Sequence, residues 1–413
     1  MLIAGMLQRL VHCGRLTVTD AAGRTHRFEG AAPGPRAAIR LTDRRIEFDL
    51  LYHPELALGE GYMDGRIVVE EGSIYDVIEI GLINMQRLGR TRWGSLAENL
   101  ALVFRRLHQF NPVSRARRNV AHHYDLSSEL YRLFLDADRQ YSCAYFPTPE
   151  TTLDEAQLLK KRHIAAKLML RPGQRVLDVG CGWGGLGIYC AQVDEVDVTG
   201  LTLSVEQHDY AMRRVEQAGL EDRVRFSIQD YRETTGSFER VVSVGMLEHV
   251  GVNHYEAYFR RVAEWLTDDG VAVIHSIGRA RGPGATASFI RKYIFPGGYI
   301  PALSEVMPAI ERAGLFVTDI EILRLHYAET LRHWRERFVG HWAEAAALYD
   351  ERFCRMWEFY LAGSEAFFRA MDGMVFQLQL AKHRDVVPMT RDYIAAEEAR
   401  HARAEPKRYR LVA

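Results

Sequence analysis

Glu248 lies in the run Val244-Gly245-Met246-Leu247-Glu248-His249-Val250-Gly251, downstream of the glycine-rich stretch Val176-Leu177-Asp178-Val179-Gly180-Cys181-Gly182-Trp183-Gly184-Gly185. A carboxylate among apolar neighbours can hold or move a proton. Glycines at the end of a strand let the backbone pass close to a cofactor. Taken alone, the glycine loop is weak evidence. Gly180, Gly182 and Gly185 also fit the dinucleotide spacing G-x-G-x-x-G, so a nicotinamide or flavin stays open on spacing. Asp178, two positions before the first glycine, tips the reading. An anionic side chain there suits the amino group of S-adenosylmethionine (SAM) better than a pyrophosphate.

Two further loops add to it. Thr202-Leu203-Ser204-Val205-Glu206-Gln207 follows a second strand, where a ribose or methionine moiety would be held. Gln229-Asp230-Tyr231 follows a third, where an adenine would lie. Glycines needed only for tight turns would not explain all three loops. Besides Glu248, three residues stand out in apolar or aromatic settings: Cys143 in Tyr141-Ser142-Cys143-Ala144-Tyr145-Phe146, His275 in Ile274-His275-Ser276-Ile277-Gly278, and Tyr327 in His326-Tyr327-Ala328-Glu329-Thr330-Leu331. Each has a bland explanation, such as a buried thiol or a satisfied core histidine. Glu248 and His275, however, follow the ends of successive strands, where ligands gather in an open α/β sheet.

The elements that must position these groups repeat as strand and helix from about residue 165. Strands are expected at 175–179, 196–201, 223–228, 239–244 and 270–275, separated by helical stretches. That alternation implies an α/β fold with a doubly wound, mostly parallel sheet. Residues 331 to about 383 read as helical and rich in large side chains, among them Trp334, Phe338, Trp357, Phe359 and Phe368. Such a stretch is usually core, although it would also suit an acyl-chain channel. Ahead of the sheet, 16–20 and 25–28 alternate around Ala21-Ala22-Gly23 as a hairpin. Strands are also expected at 38–41 and 46–48, and a short helix at 56–63. This makes a small N-terminal α+β unit over residues 1–90. A basic linker, 91–118, follows in an arginine-rich region running from Arg87 to Arg118, which could touch anionic headgroups or simply be solvated. The catalytic domain is expected over 119–395 and a tail over 396–413.

Composition narrows the class. The chain has 413 residues, is 47% hydrophobic and 26% charged, and carries a formal net charge of −1, so no global basic field points to nucleic acid. No long uncharged apolar run predicts a membrane span. The segment 1–11 reads as an amphipathic helix rather than a signal peptide. The five cysteines are scattered without C-x-x-C spacing, which fits a reducing cytoplasm and predicts neither disulfides nor a metal centre.

On these residues the chain resembles the cyclopropane-fatty-acyl-phospholipid synthases, relatives of the mycolic acid cyclopropane synthases. The resemblance runs over roughly 119–380. It is carried by Ala121-His122-His123-Tyr124-Asp125-Leu126, the 141–146 segment, the glycine loop, 201–207, 246–251, Phe289-Ile290-Arg291-Lys292-Tyr293-Ile294-Phe295-Pro296-Gly297-Gly298, and 326–334. Gly59-Glu60-Gly61-Tyr62-Met63-Asp64-Gly65 resembles the N-terminal domain of the longer, phospholipid-acting members.

The resemblance implies a class I, Rossmann-like SAM methyltransferase fold with added C-terminal helices. It implies methylene transfer from SAM to a cis double bond of an unsaturated membrane phospholipid, with a bound bicarbonate as base. Carried over by motif, the bicarbonate ligands would be Cys143, Glu248, His275 and Tyr327, with backbone help near Ile277. The SAM contacts would be Tyr141, Ser142, Gly180, Gly182, Thr202, Leu203, Gln207 and Tyr231, joining Asp178. A cytoplasmic enzyme bound peripherally to the inner face of the membrane is expected, and the resemblance alone suggests a homodimer. Ser364 replaces a cysteine that many relatives carry; a mechanism without a protein nucleophile tolerates that. Two alternatives share the motifs: a lipid C-methyltransferase that adds a methyl branch or methylene without closing a ring, and a silent lipid- or SAM-binding protein.

Overall fold

The computed structural model describes residues 1–88 and 126–406. The arginine-rich linker and the Ala121–Asp125 part of the family motif therefore lie largely outside the described residues. The chain forms two compact units.

The first unit gathers residues 1–88 with Ala285–Pro296 and Ala328–Gly373, which in sequence lie far downstream. Its four strands, β1 (Cys13–Thr19), β2 (Thr25–Glu29), β3 (Ala32–Leu41) and β4 (Ile67–Glu71), pair in the order β2-β1-β3-β4. The predicted hairpin is there, with Leu16 opposite Phe28. Residues 46–48 are a correction. They belong to a helix, Arg45–Tyr52, which buries Ile46, Glu47 and Leu50. Three alternating residues mimic a strand, but apolar Ile46 and Leu50 fall four apart on one helical face, and the Asp43 carboxylate accepts the Ile46 N–H (3.0 Å) to start the turn. The expected helix at 56–63 is Pro54–Met63, and helix Ala4–Leu10 opens the chain. Helix Glu351–Ala370 packs against Pro54–Met63 and Ile74–Leu88. Trp334, Phe338, Trp357 and Phe368 are buried, so these aromatics serve as core. Ser364 is half-buried on the 351–370 helix.

The second unit holds the parallel sheet: β5 (Arg175–Val179), β6 (Asp197–Thr202), β7 (Val224–Ile228), β8 (Phe238–Val244), β9 (Leu266–Arg279), β10 (Phe316–Ile322) and β11 (Gly373–Ala381). Their order is β10-β11-β9-β8-β5-β6-β7. The β8, β5, β6 and β7 neighbours and the β8–β9 pair run parallel, and β10 and β11 pair antiparallel. Alternate residues feed two cores. Leu177 and Val179 face helices Tyr255–Trp265 and Leu303–Arg312. Val176, Val198 and Val242 face helices Leu153–Leu168, Gly185–Asp194 and Val205–Ala218.

The helical expectation up to 383 is corrected here. After the helix ending at Ala370 the chain turns into β11, which is buried from Met374 to Ala381. A strand covered on both faces shows no alternation and reads like a buried helix. Helix Asp392–Ala404 then packs on Leu153–Leu168. The five cysteines are free and buried. Among the described residues, no helix is long and apolar enough to cross a membrane.

Candidate functional site

The carboxyl ends of the parallel strands are clipped together by backbone hydrogen bonds. Gly180 and Cys181 N–H both donate to Leu201 O (3.0 and 2.8 Å), Gln229 N–H to Thr202 O (3.1 Å), and Gly245 N–H to His275 O (2.9 Å). The loops after β5 and β7 are thus fastened to β6, and the loop after β8 to His275 within β9. Gly180 (φ +82°) and Gly182 (φ +54°) adopt left-handed backbone. A Cβ at Gly182 would meet nothing within 4 Å, so the loop is open on that side. Asp178, at the end of β5, is 2% exposed. Its Oδ2 is buried and has no hydrogen-bond partner among the described residues. Burial pushes its carboxyl up to about 7, against the pull of the Lys160 cation.

After β6, Thr202 Oγ1 donates to Gln207 Oε1 (2.9 Å), and Ser204 Oγ caps helix Val205–Ala218. Both Thr202 and Gln207 are buried, and Leu203 is half-buried. After β7, Tyr231 packs edge-on against Tyr258 (5.5 Å between centroids), and burial raises its hydroxyl to about 12. Tyr141 packs against Tyr131, which in turn meets Trp183 of the glycine loop. Ser142 Oγ accepts from Lys160 Nζ (2.8 Å), which also donates to Gln140 Oε1 (2.6 Å). Those two bonds tie the 140–142 segment to helix Leu153–Leu168.

The second cluster gathers around β8 and β9. Glu248 sits in the short helix Leu247–Val250 and is 8% exposed. Ile277 N–H, expected to face an anion, donates to Glu248 Oε1 at 2.6 Å. The other oxygen, Oε2, is buried with no hydrogen-bond partner among the described residues. Burial raises this carboxyl to about 7, opposed by the Ile277 N–H. His275 is 2% exposed, and burial together with the Lys160, Lys167 and His163 charges holds it neutral, well below its ordinary range. Cys143 is buried and its Sγ lies 3.3 Å from Ala144 O. Tyr327 begins helix His326–Gly340 and is 7% exposed. The Phe146 N–H donates to His326 Nδ1 (2.9 Å), which pins the Cys143 segment to the Tyr327 segment. The structure thus joins Glu248 to Ile277 directly and ties the Cys143 and Tyr327 segments together.

Three residues here escape sequence reading. Lys160 is 1% exposed, and burial drops its ammonium to about 8 while Asp136 pulls it back up. Its charge is felt at Asp178, Cys143 and His275, the carboxylate of one cluster and two members of the other. Lys167 and Gln377 lie behind His275. The run Leu159-Lys160-Lys161-Arg162-His163 resembles a solvated basic face, and nothing in it signals burial.

The sequence profile of the family described as Mycolic acid cyclopropane synthetase matches residues 112–378. The chain belongs to that family. It is therefore a SAM-dependent methyltransferase. The chain is 39% identical over 340 residues to a "Probable fatty acid methyltransferase" of Pseudomonas putida, covering 80% of this chain and 83% of the relative. It is 37% identical over 357 residues to the "Cyclopropane-fatty-acyl-phospholipid synthase" of Escherichia coli (strain K12), covering 86% and 90%. Among solved structures it is similar to the cyclopropane synthase MmaA2 from Mycobacterium tuberculosis, with 33% identity and a TM-score of 0.63 over 66% of this chain and 99% of that one. The class I SAM methyltransferase fold expected for the family is the fold observed. The site's residues fit SAM: a buried Asp178 oxygen with no hydrogen-bond partner among the described residues suits a cationic amino group, and the open side of Gly182 leaves room for a ligand against the backbone.

Proposed function

We propose that this enzyme is a cyclopropane-fatty-acyl-phospholipid synthase, transferring a methylene group from SAM to the cis double bond of an unsaturated phospholipid acyl chain. The reading rests on Glu248, a buried carboxylate with one oxygen held by Ile277 N–H and the other without a partner among the described residues. Such an oxygen suits the hydroxyl of a small anion.

Asp178 would hold the amino group of SAM, with Gly180 and Gly182 giving it close backbone. Thr202, Leu203 and Gln207 would hold the ribose or methionine moiety, and Tyr231 would wall the adenine. Tyr141 and Ser142 would close the near side. Bound SAM would supply an electrophilic methyl group. The alkene electron pair would bond to that carbon as its bond to sulfur breaks, the sulfur keeping that pair as the S-adenosylhomocysteine thioether and a cation remaining on the neighbouring chain carbon. Loss of a proton from the transferred methyl closes the ring.

No protein nucleophile is needed; a dry, well-positioned site is. A bicarbonate would supply the base. Cys143, Glu248, His275 and Tyr327 would hold it, with Ile277 acting through Glu248. Neutral His275 can donate to the anion without adding a positive charge beside the cation.

For membrane access we infer peripheral binding on the cytoplasmic side, through the N-terminal unit and the arginine-rich linker. Binding to anionic vesicles is then salt-sensitive; affinity unchanged between low and high salt would refute it. The homodimer suggested by the resemblance would double the membrane contacts, and a monomeric mass in sedimentation would dismiss it.

The deciding experiment incubates the purified protein with SAM, bicarbonate and monounsaturated phospholipid vesicles, then reads the acyl chains by mass spectrometry and proton NMR. A gain of one methylene with loss of the olefin and new ring-proton signals supports the reading; no gain refutes it. The Pseudomonas putida relative, named as a fatty acid methyltransferase, favours a second reading. In it the same cation loses a different proton. The same mass gain with a carbon–carbon double bond retained, beside a methyl branch or as a methylene, would identify that outcome.

A further inference from the structure

Behind His275 runs a chain of buried polar groups. On β11, Gln377 is 1% exposed, and its Nε2 lies 3.1 Å from His275 Nδ1. Its Oε1 accepts from Lys167 Nζ at 2.8 Å. Lys167, 1% exposed on helix Leu153–Leu168, also donates to Glu321 Oε2. Glu321 stands directly opposite Gln377 in the β10–β11 pairing and is bound in turn by His163 Nε2 (2.6 Å).

The chemistry of these groups orients the chain. An ammonium has donors only, so the oxygen of the Gln377 amide must face Lys167 and its NH2 must face His275. Nδ1 of His275 therefore accepts, and in the neutral ring the proton sits on Nε2. His275 Nε2 has no hydrogen-bond partner among the described residues.

We propose that Gln377, anchored by Lys167, is a positioning residue that fixes His275 as its Nε2–H tautomer, so that the ring offers a proton rather than a lone pair to an anionic ligand. Had Nδ1 carried the proton, the Nε2 lone pair would repel a bicarbonate. The catalytic side of this proposal rests on His275 being an anion ligand, as in the proposed function; the tautomer does not.

The test reads histidine ring 15N shifts in the full-length protein near neutral pH, with the His275 signals assigned by their loss in His275→Asn. Wild type is expected to show an unprotonated Nδ1. An Nδ1–H signal for His275 would overturn the proposal, whether or not any variant folds. Gln377→Glu replaces the donor with a carboxylate, which should move the proton to Nδ1 or charge the ring. Lys167→Met frees the amide to turn and should give mixed tautomers. An unchanged tautomer in a folded Gln377→Glu protein would also overturn it.

The activity arm measures the rate against added bicarbonate in carbon-dioxide-depleted buffer. The KM for bicarbonate should rise by about 10- to 100-fold in Gln377→Glu, the range for losing a partner that orients a ligating histidine, with the KM for SAM little changed. A switched tautomer with unchanged bicarbonate dependence would overturn the catalytic role by refuting His275 as an anion ligand. An unswitched tautomer refutes the positioning and leaves that reading of His275 standing.

Discussion

Replacing Glu248 by glutamine should make the protein more stable and less active at once. The side chain is buried and its carboxyl titrates at about 7, where an exposed glutamate titrates near 4.5. That difference corresponds to roughly 3 kcal/mol at 1.36 kcal/mol per pH unit. The sign follows from proton binding. With the folded value raised, the native state binds more protons than the unfolded chain between those two values. Stability from this group is therefore intact below about 4.5, falls as pH rises through 7, and above that the buried charge costs its full amount.

Glutamine keeps an oxygen for the Ile277 N–H but leaves an amide donor in place of Oε2, at a cost of about 1–3 kcal/mol if unsatisfied. The net gain at about pH 8 is then between about zero and 2 kcal/mol, shrinking or reversing towards pH 5. Urea unfolding of ligand-free wild type and Glu248→Gln, in bicarbonate-free buffer at those two pH values, reads the difference directly. Methylene transfer by the variant should fall by about 100-fold or more, on the scale of losing a positioned electrostatic group. A variant less stable than wild type at the higher pH, or one whose advantage grows as pH falls, would refute the reasoning.

Three other perturbations have definite expectations. Asp178→Asn should weaken SAM binding by about 10- to 100-fold in calorimetry, the scale of a lost charge-assisted hydrogen bond. Because Asp178 titrates at about 7, wild-type SAM affinity should rise with pH through neutrality, and this rise should vanish in the variant. Gly182→Ala places a Cβ at φ +54° in open space, so it should cost only about 1–2 kcal/mol of stability while lowering SAM affinity more than that strain would suggest. In the first unit, a Cβ at Gly59 would come within 2.3 Å of the Phe289 ring and 2.8 Å of Phe359. Gly59→Val should therefore destabilise by at least about 1–3 kcal/mol, measurable as a drop in Tm.

Sequence was a good guide where a pattern has one physical cause. Residues 175–179 form a strand as expected, because an apolar run ending in Asp178 and glycine has few other uses in this fold. The three loops on one edge, and Glu248 just past β8, were legible for the same reason: strand ends set where loops go. His275, expected at a strand end, lies inside β9, which runs on to Arg279. Strand β11 was not legible. Gln377 and Gln379 interrupt its apolar residues, yet both are buried, satisfied by Lys167 and by Thr318 and Tyr393. Those partners are distant in sequence, so no local window shows that a glutamine there is interior. Lys160 failed for the same reason. Its burial is made tolerable by Gln140 and Ser142, far enough away that the lysine reads as surface.

The path of the chain also has a consequence for synthesis. The first unit needs helix Glu351–Ala370 to complete its packing, and the sheet of the second needs β11, Gly373–Ala381, to fill the place between β10 and β9. Both pieces leave the ribosome late and back to back. At the usual elongation rate of roughly 5–20 residues per second, the earliest strands wait on the order of tens of seconds for their last partner. During that interval the core built from residues 158–273 can already close, whereas the core that takes in Met374, Phe376, Leu378 and Leu380 cannot. A chain that stops short of residue 350 lacks the closing element of both units.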